Sequence, residues 1–172
     1  MEFLTLIKNL IPDYAKDIRL NIDGTIARTS LEGSDAVGVA LAAAFAVKSK
    51  PIIDIIKASG VMSPEEVNAA LTASALMGMN NIWYPFVEMT DDADMKTQAA
   101  QLRMNAYATN GGVDKRRFEM YALAASVIGK CHFCVKSHFE LLKKEGMSTV
   151  QLRDVGRIAA VINAAAQVIA AE

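Results

Sequence analysis

The sequence predicts an all-α fold, on three observations. Ala, the residue with the best helix propensity, fills 28 of the 172 positions. Only four Pro and ten Gly interrupt the chain. Apolar side chains recur at spacings of three and four, and no segment sustains the period-two alternation of a half-buried strand. The length suggests one domain, residues 1–172, long enough to bury a core without metal or disulfide staples.

Each element follows from local signals. Phe3, Leu6, Ile7 and Leu10, then Ile11 and Tyr14, have helical spacing, with Pro12 at a boundary or kink. Asn21 to Arg28 reads as a connection. Ser34-Asp35 is placed to cap an Ala-rich helix reaching Val47, and Pro51 starts a short amphipathic helix ending near Gly60. Ser63-Pro64-Glu65-Glu66 combines a capping Ser, a first-turn Pro and a Glu at the capping-box position. That helix is expected to run to Met77 and break at Gly78, with a second from Asn80 or Asn81 to Met89. Asp91 opens another through Leu102 to Ala108, before the loop Asn110-Gly111-Gly112. Asp114 caps a helix from Lys115 to Ile128, with Gly129 at its end. A further helix spans about Lys130 to Lys144 and stops at Gly146. Ser148 opens an Ala-rich one to Ala171, giving roughly seven to nine helices in all. Laying Glu66 on Glu119 sets Ala69 on Ala122, Gly78 on Cys131, Asn81 on Cys134 and Phe86 on Phe139. This echo implies two related helical hairpins, only the second carrying thiols.

Composition narrows the function classes. The net charge is -1, which leaves no basic excess for phosphate contacts with nucleic acid. The longest apolar run, Ala36 to Val47, falls short of the about twenty residues of a membrane span, and Met1-Glu2-Phe3-Leu4 lacks the positive start of a signal peptide. Two Cys are too few for a secreted disulfide scaffold. The expectation is a soluble cytoplasmic protein, in which a close Cys pair points to redox chemistry or a metal.

Cys131-His132-Phe133-Cys134-Val135-Lys136-Ser137-His138 holds every Cys and every His of the chain. At about 100° per residue, Cys134 and His138 fall within about 60° of Cys131 on one helical face, and His132 points away. His138 is one turn beyond Cys134, within reach. A hairpin folded at Gly129 brings Glu119 to the depth of His138, making a carboxylate–imidazole–thiol chain that can activate a nucleophile. Two effects favour a thiolate: the first-turn position of Cys131 and a base beside Cys134. One turn apart, the two cysteines can close a disulfide after oxidation. Two other uses of these residues stand beside this one. Cys can serve as a small buried hydrophobe. Cys131, Cys134 and His138 can ligate a metal, one ligand short of the four of structural zinc. Met77, Met79, Met89 and Met104 read as core filling, Trp83 and Tyr84 as packing or interface residues.

Several stretches resemble the AhpD-like family of the carboxymuconolactone decarboxylase-like superfamily. They are Pro12-Asp13-Tyr14-Ala15-Lys16-Asp17, Met77-Gly78-Met79-Asn80-Asn81, Leu102-Arg103-Met104-Asn105, Phe118-Glu119 and the Cys131 to His138 motif. The resemblance implies an all-helical bundle assembled as trimers or trimer-based hexamers. It implies thiol peroxidase activity on alkyl hydroperoxides and reduction of a partner peroxiredoxin, AhpC. No tightly bound cofactor is implied. The resemblance further implies electrons from dihydrolipoamide on a lipoyl-bearing acyltransferase, itself reduced by dihydrolipoamide dehydrogenase. By the family pattern Cys134 becomes the sulfenic acid, Cys131 is its partner and proton donor, and Glu119 and His138 form the proton relay. Some members carry a further relay His just before the second Cys; here that position is Phe133. The alternative reading is a non-catalytic redox or metal-binding module using Cys131, Cys134 and His138.

Overall fold

The all-α expectation holds: the computed structural model, which describes residues 1–172, consists of helices and their connections, with no strand. The helices are α1 (Glu2–Asn9), α2 (Lys16–Ile22), α3 (Gly33–Ala46), α4 (Lys50–Ala58), α5 (Pro64–Thr90), α6 (Ala93–Thr97), α7 (Asn105–Ala108), α8 (Lys115–Gly129), α9 (His132–Lys144) and α10 (Thr149–Ala171).

The interior forms around α3 and α8. Every residue of α3 from Asp35 to Ala44 is buried, as is every residue of α8 from Phe118 to Ser126. A helix apolar on all sides belongs inside a fold, and Ala lets neighbouring backbones come close. α5 and α10 both pack on this central pair, and α9 folds back on α8. α10 is long and apolar enough by length and composition to cross a membrane. Its apolar face, Leu152, Val155, Ile158, Ile162 and Ala165, is instead buried against α2, α3 and α8.

Several caps form as expected. Ser63 and Ser148 each close a capping box, with Glu66 and Gln151, and Asp114 accepts the Arg117 N–H. Other expectations are corrected. Ser34 and Asp35 do not cap α3, whose N-cap is Glu32 with no side-chain hydrogen bond. The Ser34 hydroxyl donates to Glu66 (2.7 Å), and buried Asp35 pairs with Arg117 (2.7 Å). These bonds tie the starts of α3, α5 and α8 together. Residues 21–28 are not a plain connection: α2 continues to Ile22 and a π-helical turn follows over Asp23–Ala27.

The largest correction is α5, which runs unbroken through Gly78 and Pro85. Its buried stripe of Ala70, Ala73, Ser74, Met77 and Asn80 keeps helical spacing across Gly78. An interior Gly costs only about 1 kcal/mol, and burial along that stripe outweighs it. The first of the two echoed hairpins therefore does not fold back, while the second does. The expected helix from Asp91 to Ala108 is also replaced. Asp91 is the left-handed C-cap of α5, Asp92 caps the short α6, and the chain is irregular to α7. Residues 98–103 are exposed except for half-buried Ala100, so no apolar stripe holds them in a helix.

Candidate active site

The hairpin between α8 and α9 builds the site. Gly129 remains the last residue of α8, and Lys130 takes the left-handed position (φ 54°) that the sequence suggested for Gly129. The Cys131 N–H then donates to the Ser126 carbonyl (3.3 Å), closing the turn. Gly129 serves a different need. A Cβ there would overlap the Asn81 side chain, whose amide donates to the Ala125 carbonyl (3.0 Å) and fastens α5 to the end of α8.

Cys131 is the N-cap of α9 rather than a first-turn residue, and its Sγ accepts the Cys134 N–H at 3.2 Å. The two cysteines are buried and joined as a disulfide, with Cα atoms 5.3 Å apart. The pair therefore sits where the unpaired N–H groups of α9 favour negative charge on sulfur.

Glu119 and His138 meet as the hairpin arithmetic requires. His138 Nδ1 lies 2.6 Å from Glu119 Oε2, both residues being buried. Burial alone pushes the Glu119 carboxyl upward. The hydrogen bonds from His138 and Tyr107 outweigh that and hold it below the usual carboxylate range. The direct His138–Cys134 contact is not formed. His138 Nε2 instead faces Met77 Sδ at 3.2 Å, and Cys134 Sγ lies 3.8 Å from the Asn80 carbonyl oxygen. A disulfide sulfur has no proton to exchange, so nothing draws the imidazole to it.

Three site residues escaped the sequence reading. Tyr107 on α7 donates its hydroxyl to Glu119 Oε1. Met77, read as core filling, touches the imidazole. Asn80 presents its carbonyl to Cys134. Their available signals were the segments Met77 to Asn81 and Leu102 to Asn105, which flank or contain them without stating a role. Among the other methionines, Met89 is exposed and does not fill the core.

A small cavity of about 150 Å³ adjoins Cys134 and His138 and is also lined by Asn80, Met104, Tyr107 and Phe133. A larger one of about 570 Å³ shares Tyr84 and Phe133 with it, and has Trp83, Val87, Lys96 and Lys136 in its walls. The Tyr84 and Phe133 rings stack at 4.3 Å between the two. His132 is exposed and faces Glu88 (3.6 Å), away from the sulfurs as its helical angle requires. No group of three His, Cys, Asp or Glu side chains is arranged to hold a metal ion. His138 is turned to Glu119 and Met77, and the two sulfurs are bonded to each other.

Residues 93–172 match the carboxymuconolactone decarboxylase family. Among curated proteins, alkyl hydroperoxide reductase AhpD of Maricaulis maris is 44% identical over 168 residues, covering 96% of this chain and 96% of its own length. That of Hyphomonas neptunium is 44% identical over 171 residues, covering 98% and 94%. That of Coxiella burnetii is 39% identical over 170 residues, covering 96% of both.

Proposed function

This chain belongs to the AhpD family of alkyl hydroperoxide reductases, and on that premise we propose that it is a dithiol peroxidase turning over through Cys131 and Cys134. The observation that supports this reading is the buried Cys131–Cys134 pair at the start of α9, one turn from a His138 held by Glu119.

The chemistry balances on these residues. In the reduced protein His138 takes the Cys134 proton. The Cys134 thiolate attacks the terminal oxygen of the hydroperoxide, and the O–O bond breaks. The alkoxide leaves as the alcohol after gaining a proton, and Cys134 becomes the sulfenic acid. The Cys131 sulfur then attacks Cys134, the disulfide forms and water departs. One hydroperoxide and two thiols give one alcohol, one water and one disulfide. The inner cavity has room for the hydroperoxide group, and the larger cavity beyond Tyr84 and Phe133 for its organic part.

The resting disulfide needs two electrons to restart the cycle. Dihydrolipoamide, carried by a lipoyl-bearing acyltransferase, supplies them by thiol–disulfide exchange. The reduced pair also regenerates an AhpC-type peroxiredoxin. This cycle belongs in the cytoplasm, where thiols are kept reduced. Exposed Ile82, Phe86 and Met89 leave apolar surface on α5 that suits assembly into a trimer or hexamer. The test is thiol counting on the reduced protein. One equivalent of organic hydroperoxide removes both free thiols, and dihydrolipoamide restores both. Retention of either thiol after oxidation contradicts the cycle.

A further inference from the structure

We propose that Tyr107 is a positioning residue of this thiol site: its hydroxyl fixes the Glu119 carboxylate, which in turn fixes the His138 imidazole for Cys134. The inference rests on the reading of Cys134 and His138 given above and deepens it.

Glu119 is fully buried, so its two oxygens depend on protein donors. Oε2 is met by His138 Nδ1 from α9 at 2.6 Å, and Oε1 by the Tyr107 hydroxyl from α7. A buried carboxylate oxygen without a donor bears a desolvation cost that favours the neutral acid. A neutral Glu119 would no longer select the His138 form with its proton on Nδ1, which leaves Nε2 free for the thiol. Tyr107 is therefore the second of the two donors that keep this carboxylate ionised.

The phenol itself arrives in a fixed direction. Its ring meets Phe118 edge-on, with centroids 5.5 Å apart and planes at 84°. The chain leaves α7 through Gly111, whose left-handed backbone (φ 59°) lies so close to Ala69 that a Cβ would stand 2.9 Å from its Cα. This close approach anchors the end of α7 on α5. Burial first, and then the Glu119 carboxylate, push the phenol above its ordinary range. Tyr107 thus keeps its proton and stays a donor to Glu119.

The charged and titratable surroundings of Glu119 are few. His138 faces it from α9, Tyr107 from α7 and Lys115 acts along α8. Cys134 borders the same chamber, with no titratable proton while bonded to Cys131. From α5, the uncharged Met77 meets His138 and Asn80 meets Cys134, and the Tyr84 phenol lines the same cavity without a hydrogen bond to Glu119. No other donor is hydrogen-bonded to Glu119 Oε1 to replace the phenol.

Tyr107→Phe tests this, because it keeps the ring and removes only the hydroxyl. The readout is the pH dependence of Cys134 alkylation by iodoacetamide in the reduced full-length protein, alongside ¹³C NMR titration of Glu119. The expected result is a Glu119 titration moved upward by about one to two pH units. The acid limb of the alkylation profile follows it, and the alkaline plateau is unchanged. In a Glu119→Gln background the same substitution adds no further shift. Superimposable profiles for the wild type and Tyr107→Phe would overturn the proposal. So would a uniform fall in alkylation at every pH, or an undiminished shift in the Glu119→Gln background. No peroxide enters this measurement. A protein that shows the shift but turns over no hydroperoxide fails the peroxidase reading and not this one.

Discussion

His138 Nδ1 and Glu119 Oε2 stand 2.6 Å apart across the α8–α9 hairpin, on residues nineteen positions apart in sequence. The turn at Gly129 and Lys130 sets this distance, and the buried carboxylate decides which imidazole nitrogen carries a proton. The reactivity assigned to Cys134 depends on this pair.

Replacing the imidazole is expected to have the largest effect. His138→Phe moves the Cys134 thiol toward the free value of about 8.5. It lowers hydroperoxide turnover about a hundredfold to ten-thousandfold, the usual range for a lost general base. Glu119→Gln acts in the same direction and less, because it works through His138. His132→Ala leaves both unchanged, since that side chain is exposed and faces Glu88. Alkylation rate against pH for the three variants measures this. A shift in His132→Ala without one in His138→Phe assigns the relay to the other histidine.

The disulfide is expected to be reversible and to depend on both cysteines. Peroxide treatment of the reduced protein lowers its mass by two hydrogens, as read by intact-protein mass spectrometry. In Cys131→Ser, Cys134 has no partner and proceeds to sulfinic and sulfonic acid. Over-oxidation of Cys134 in the wild type with Cys131 still free argues against the pairing.

A carboxylate outside the thiol site is expected to set an acid limit on stability. Asp154 on α10 is buried and accepts the Ser30 N–H and hydroxyl, each at 2.8 Å, and a guanidinium N–H from Arg153 (3.0 Å). Burial raises its carboxyl, but the Ser30 and Arg bonds prevail and hold it well below the usual range. Its contribution is therefore fully present above the unfolded value of about 3.9 and is lost as pH falls below it. Asp154→Asn should cost about 1–3 kcal/mol at neutral pH and flatten the acid limb of a denaturation series. Equal acid sensitivity in variant and wild type counts against this assignment.

Assembly is checked by light scattering. The exposed Ile82 and Met89 on α5 predict a mass several times the 18.5 kDa of one chain. A monomer at micromolar concentration contradicts that prediction.

The sequence carried the parts of this account that depend on local chemistry. Ser63 with Glu66, and Ser148 and Asp114, each announce a helix start, and each side chain accepts a backbone N–H there. The one-turn spacing of Cys134 and His138 follows from helical geometry, and the meeting of His138 with Glu119 from the turn at Gly129 and Lys130. What stayed hidden depends on long-range packing. Gly78 does not end α5, because the stripe through Met77 and Asn80 stays buried past it. Residues 98–103 lack such a stripe, so good helix formers there remain irregular. Tyr107 reaches Glu119 only because α7 folds onto α5 and α8, and no spacing along the chain encodes that contact. His138 facing Met77 rather than Cys134 is likewise a contact between α9 and α5 that no spacing along the chain encodes.

The most direct test of the central claim is steady-state turnover with dihydrolipoamide and cumene hydroperoxide, with and without an AhpC-type peroxiredoxin. Hydroperoxide-dependent oxidation of dihydrolipoamide by this protein alone is expected, with faster turnover when the peroxiredoxin is added and loss of both in Cys134→Ser. Turnover that survives in Cys134→Ser, or no oxidation of dihydrolipoamide by the wild type, would contradict it.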